Sequence, residues 1–125
     1  MVGVVLVAHS AGLAEETAAL ARGIAGEEVP VTAAGGTEDG GLGTSVDLVE
    51  RAMRAADRGD GLVLIADLGG SVLTARLVEE PGRVVLADVP FVEGAIAAAV
   101  AASADLPLEA VLEAAEEARG FRKLT

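Results

Sequence analysis

The sequence predicts an α/β, doubly wound fold: a parallel sheet in the strand order 2-1-3-4, flanked by helices on both faces. Three observations carry this. Residues 2–8 and 61–66 are short, uniformly apolar runs without the alternation of a half-exposed strand, so they read as strands buried on both faces, and 29–34 and 83–87 read as two further short strands. Segments of helical periodicity separate them, and strands alternating with helices imply parallel pairing through right-handed crossovers. The first, third and fourth runs each stop at a residue that can carry chemistry, His9, Asp67 and Asp88.

In order, residues 2–8 form the first strand. Residues 13–24 follow as a helix with Leu13, Thr17, Leu20, Ala21 and Ile24 on its inner face, Ser10 as N-cap, and Gly26 closing it. Residues 29–34 form the second strand. The loop 35–43 holds five glycines, and Thr44 or Ser45 then caps a helix to residue 56 that turns Val46, Val49, Ala52 and Met53 inward. The third strand ends at Asp67, and Leu68-Gly69-Gly70-Ser71 is read as a turn before a helix over 72–79. Pro81-Gly82 turns the chain into the fourth strand, after which Asp88 is expected to cap the next element. An alanine-rich helix over 92–103 follows, and then a last helix with Pro107 at its first position.

Composition excludes several function classes. There is no cysteine and a single histidine, so a disulfide framework, a thiolate nucleophile, a Cys-ligated metal and a His-rich metal site are excluded. A net charge of −11 argues against nucleic acid. No targeting or membrane-spanning stretch is visible, so a cytoplasmic protein is expected, with residues 1–125 as one domain.

The order 2-1-3-4 makes strands 1 and 3 neighbours, with a crevice at their carboxyl ends. Neighbouring strands lie roughly 4.8 Å apart, so Asp67 is within reach of His9 while Asp88 is about twice as far. A carboxylate on one ring nitrogen fixes the tautomer and leaves the other as a nucleophile. Helix N-termini with hydroxyls and glycine amides suit phosphate: Ser10 after strand 1, Gly43, Thr44 and Ser45 after strand 2, and Gly69, Gly70 and Ser71 after strand 3. Together they point to a phosphohistidine intermediate. Each signal alone has a plainer reading. A lone strand-end histidine is more often structural, Asp67 before glycines serves as a helix cap, and the glycine loop lacks the GK[ST] ending of a nucleotide P-loop.

The chain also resembles mannose-type EIIA domains, and among them the DhaM phosphocarrier family of dihydroxyacetone kinases fed by the phosphoenolpyruvate:sugar phosphotransferase system. The resemblance rests on residues 4–10 with His9, on Gly43-Thr44-Ser45, on Asp67-Leu68-Gly69-Gly70-Ser71, and on Pro90-Phe91-Val92-Glu93-Gly94. It implies that His9 is phosphorylated and Asp67 orients it. It further implies that phospho-HPr is the donor and ADP on DhaL the acceptor, with dihydroxyacetone held by DhaK, and that no cofactor beyond the covalent phosphohistidine is used. A sugar-transporter EIIA component is the alternative. Ala95, Ala97, Ala98, Ala99, Ala101 and Ala102 make the 92–103 helix apolar nearly all round, which predicts a second copy against it, a homodimer.

Overall fold

The computed structural model describes Met1–Thr125. Four strands, β1 (Gly3–Ala8), β2 (Val31–Gly35), β3 (Leu62–Ala66) and β4 (Val84–Leu86), form one parallel sheet in the order β2-β1-β3-β4. The helices are α1 (Ala11–Ala25), α2 (Val46–Ala56), α3 (Gly69–Arg76), α4 (Phe91–Ser103) and α5 (Leu108–Glu117), the last continued by a 3-10 turn, Ala118–Gly120.

The pleat divides the core in two. Val2, Val4, Leu6, Val63 and Ile65 pack under α1, α4 and α5, while Val5, Val7, Leu62 and Leu64 pack under α2 and α3. All nine are at most 1% exposed, and each contributes about 1.5–3 kcal/mol of burial. This double coverage is why the strands read as unbroken apolar runs.

Several local expectations change. In α1 the buried residues are Ala14, Thr17, Ala18 and Ala21, while Leu13, Leu20 and Ile24 are 43–55% exposed. The helix lies too close to the sheet for leucines: a Cβ on Gly35 would come within 2.3 Å of the Ser10 carbonyl oxygen. Small side chains therefore face inward and the larger ones are displaced to the flank. Helix α3 begins at Gly69 rather than residue 72, because Ser71 and Val72 donate to the Leu68 carbonyl and wind the glycines into the first turn. It also stops three residues early, where Glu80 pairs with Val84 and Glu79 accepts from the Leu86 N–H. Asp88 caps nothing; Pro90 holds the N-cap of α4, and Asp88 is almost wholly solvated beside Arg119. Pro107 is the N-cap of α5, one position before its predicted place.

Helix α4 buries Gly94, Ala95, Ala98, Ala99, Ala101 and Ala102 within the chain, leaving Val92 and Val100 exposed on its outer side. No helix is long and apolar enough to cross a membrane.

Candidate functional site

Three loops meet at the carboxyl ends of β1, β2 and β3. The Gly36 N–H donates to the Ala8 carbonyl (3.0 Å) and the Gly43 N–H to the His9 carbonyl (2.9 Å), folding the glycine loop against the end of β1. Gly36 at φ 74° and Gly43 at φ 137° adopt backbone that other residues rarely take. Asp67, at the end of β3, reaches across to His9 as the strand order requires.

The contacts around His9 fix its ring. Nδ1 lies 3.1 Å from Asp67 Oδ1 and 3.1 Å from Ser71 Oγ. Ser71 Oγ is only 2.5 Å from Asp67 Oδ1, so the hydroxyl proton lies between them and the serine donates to the carboxylate. Both oxygens facing Nδ1 are then acceptors, so Nδ1 carries the proton and Nε2 keeps its lone pair. The carboxylate is itself held, accepting the backbone N–H of His9 (3.0 Å) and of Leu68 (2.7 Å).

Burial sets the electrostatics. The Asp67 side chain is 7% exposed and Ser71 is fully buried, whereas the His9 side chain is 33% exposed. Burial alone would push the Asp67 pKa up. The hydrogen bonds from Ser71, from the His9 backbone and ring, and from the Leu68 N–H outweigh it and hold the carboxyl below its ordinary range. Asp67 is therefore an anion that braces the imidazole from behind, with Nε2 on the side facing Gly70.

The hydroxyls of the phosphate set already have partners inside the chain. Ser10 and Ser45 cap α1 and α2, accepting from Leu13 and Leu48 at 3.3 Å each. Thr44 Oγ1 is 2.6 Å from Thr74 Oγ1, and Ser71 is on the Nδ1 side of the ring. The backbone N–H groups of Gly69 and Gly70, at the start of α3, have no acceptor in the chain. They form the electropositive end of that helix beside the imidazole. No group of three or more His, Cys, Asp or Glu side chains is arranged to hold a metal.

A family model described as the PTS system fructose IIA component matches residues 3–112. The chain belongs to the EIIA-man family. Among EIIA-man relatives, the phosphoryl donor subunit DhaM of the PEP-dependent dihydroxyacetone kinase 1 of Listeria innocua is 37% identical over 78% of this chain and 78% of its own. The phosphotransferase subunit DhaM of Lactococcus lactis is 34% identical over 92% of this chain and 94% of its own. A solved structure, that of the unknown-function protein EF1359, superposes with a TM-score of 0.84 at 29% identity and full coverage of both chains.

Within this EIIA-man site, sequence reasoning overlooked two residues. Thr74 ties the glycine loop to α3 through Thr44 and stands 3.4 Å from the Gly70 carbonyl. Leu68 supplies an N–H to Asp67. A helix started at Gly69 would have revealed Thr74 four residues after Gly70, on the same face. Nothing in the sequence marks a backbone N–H.

Proposed function

We propose that this chain is the phosphoryl donor subunit of a phosphoenolpyruvate-dependent dihydroxyacetone kinase, carrying the phosphoryl group on His9 Nε2. The observation that supports this best is the ring held from behind by the buried Asp67–Ser71 pair, with Nε2 on the side of Gly70, which has no side chain. The names of the relatives, several of them DhaM subunits, supply the substrate class.

In the first step the Nε2 lone pair attacks the phosphorus of phospho-HPr. The N–P bond of the donor breaks and its electron pair returns to the donor imidazole. The Nδ1 proton stays in its hydrogen bonds to Asp67 and Ser71, and the Asp67 anion balances the positive charge that develops on the ring. The Gly69 and Gly70 N–H groups are placed for the phosphoryl oxygens. Gly43 donates its N–H to the His9 carbonyl, and Ser10, Thr44 and Ser45 hold the neighbouring helix starts through their hydroxyls. In the second step a terminal oxygen of ADP on DhaL attacks the same phosphorus, and the Nε2–P bond breaks. The resulting ATP phosphorylates dihydroxyacetone held by DhaK. This chain needs no cofactor of its own, because transfer depends on positioning and charge.

Incubation with phosphoenolpyruvate, enzyme I and HPr should place an acid-labile, base-stable phosphate on the protein. Adding DhaL, DhaK and dihydroxyacetone should discharge it to dihydroxyacetone phosphate. No label would end the phosphocarrier reading; label that these subunits cannot discharge would favour the sugar-transporter alternative.

The same reading includes a homodimer. Val92, Val100 and Phe121 are 37–58% exposed, and Val100 and Phe121 border an apolar groove of about 430 Å³ with Ile96, Ala97 and Ala114. A second copy related by two-fold symmetry would cover them. Light scattering should give twice the monomer mass at micromolar concentration, and Val100→Glu should restore the monomer; a monomeric wild type ends this part of the reading.

A further inference from the structure

Gly70 lies in the first turn of α3, and its backbone does not demand glycine: its φ is outside the left-handed region. The restriction lies in front of it. A Cβ at Gly70 would stand 2.7 Å from His9 Nε2, 3.1 Å from Cε1 and 4.0 Å from Cδ2. An atom stacked over the ring at Nε2 would be nearly equidistant from both ring neighbours. The unequal distances instead place the methyl off the Nε2 vertex, close to the ring plane and to the lone pair. The preceding Gly69 has nothing within 4 Å of such a Cβ, so crowding at His9 is particular to position 70. The ring cannot readily swing away, because Nδ1 is tied to Asp67 and Ser71, and both of those are buried.

We propose that Gly70 is a clearance residue: its missing side chain leaves open the volume on the Nε2 lone pair that the attacked electrophilic atom must occupy. Glycine is there for the space in front of the nucleophile, not for a turn. The inference rests on the phosphocarrier reading only for the identity of that electrophile; the clearance applies to any electrophile.

The test uses Gly70→Ala, Ser71→Ala and the double variant of the full chain, with Gly23→Ala as the control for adding a methyl to a helix. Gly23 has nothing within 4 Å of its added Cβ and lies away from the site in α1. Alanine favours helix more than glycine, so Gly70→Ala should fold. Reactivity is read with two small electrophiles. Diethyl pyrocarbonate acylates the imidazole nitrogen and loses ethyl carbonate, which breaks down to carbon dioxide and ethanol. Phosphoramidate transfers its phosphoryl group to the same nitrogen and releases ammonia. The single histidine makes both readings unambiguous.

Gly70→Ala should slow both reactions by about tenfold or more, with Gly23→Ala at the wild-type rate. Ser71→Ala loosens the tether, so the double variant should react several-fold faster than Gly70→Ala alone, a non-additivity expected only if methyl and tethered ring collide. Wild-type reactivity in Gly70→Ala overturns the proposal, as does a double variant no faster than Gly70→Ala. If both electrophiles behave as expected but phospho-HPr does not label the wild type, the clearance stands and the phosphocarrier reading falls.

Discussion

Two polar clusters sit at opposite ends of the same sheet and are built from similar parts. At the carboxyl end His9, Asp67 and Ser71 bond at 2.5–3.1 Å. At the amino end Arg83 bonds Glu80 at 2.6 Å and Asp57 at 3.0 Å, and both carboxyls are held below their ordinary range, Glu80 by Arg83 and Asp57 by the Gly59 N–H and Arg83. Distance does not distinguish the two clusters; solvent does. The Arg83 side chain is 48% exposed and Glu80 52%, whereas Asp67 is 7% exposed and Ser71 fully buried. Water competes for every bond of the Arg83 cluster and for almost none of those between Asp67 and Ser71. Only the buried cluster can impose one tautomer and one ring orientation, which is what a nucleophile needs.

The comparison is tested most severely at His9. His9→Gln should abolish phosphorylation completely while leaving thermal unfolding near wild type, since the side chain is partly exposed at a strand end. Residual acid-labile label would show that the nucleophile lies elsewhere.

Asp67→Asn comes next. The amide can donate as well as accept, so it no longer enforces the Nδ1–H tautomer, and the anion is lost. Phosphoryl transfer should slow by roughly 10²-fold or more, with donor binding nearly unchanged. The variant also changes the pH dependence of stability. The folded-state pKa of Asp67 is lowered, so its contribution is present above the unfolded value of about 3.9 and is lost as pH falls through the folded value. The stability gap between wild type and Asp67→Asn should therefore narrow as acid is added through that window. A gap that is constant with pH would show that Asp67 gains nothing from its hydrogen bonds.

Ser71→Ala should be milder, slowing transfer by about tenfold or less. Losing one hydrogen bond to a buried carboxylate costs about 1–2 kcal/mol, read as a lower midpoint in urea. The Asp67 pKa should rise toward its ordinary value, since the Ser71 hydroxyl is the foremost of the bonds that lower it.

Arg83→Ala is the smallest expected effect. It should shift Tm by no more than about 2 °C at low salt and by nothing resolvable at high salt, with transfer unaffected. A larger shift would mean that the amino-end cluster is not the solvated counterpart described above.

The sequence by itself determined the strand order, the two-sided core and the His9–Asp67 pairing. Unbroken apolar runs mean strands buried on both faces, and in the order 2-1-3-4 only the end of β3 adjoins the end of β1. The tertiary structure decided what depends on how closely elements approach. Leu13, Leu20 and Ile24 lost the inner face of α1 to alanines because Gly35 lets that helix sit against β2. Ser71 became a brace for Nδ1 because the Leu68 carbonyl drew Gly69 and Gly70 into α3, turning the serine back toward Asp67. Gly70 reads as one more flexible residue in a glycine turn until His9 Nε2 is found where its side chain would be. Periodicity registers which face of an element is apolar; it carries no record of separations below 3 Å, where repulsion is steep and the choice between hydrogen and methyl is made.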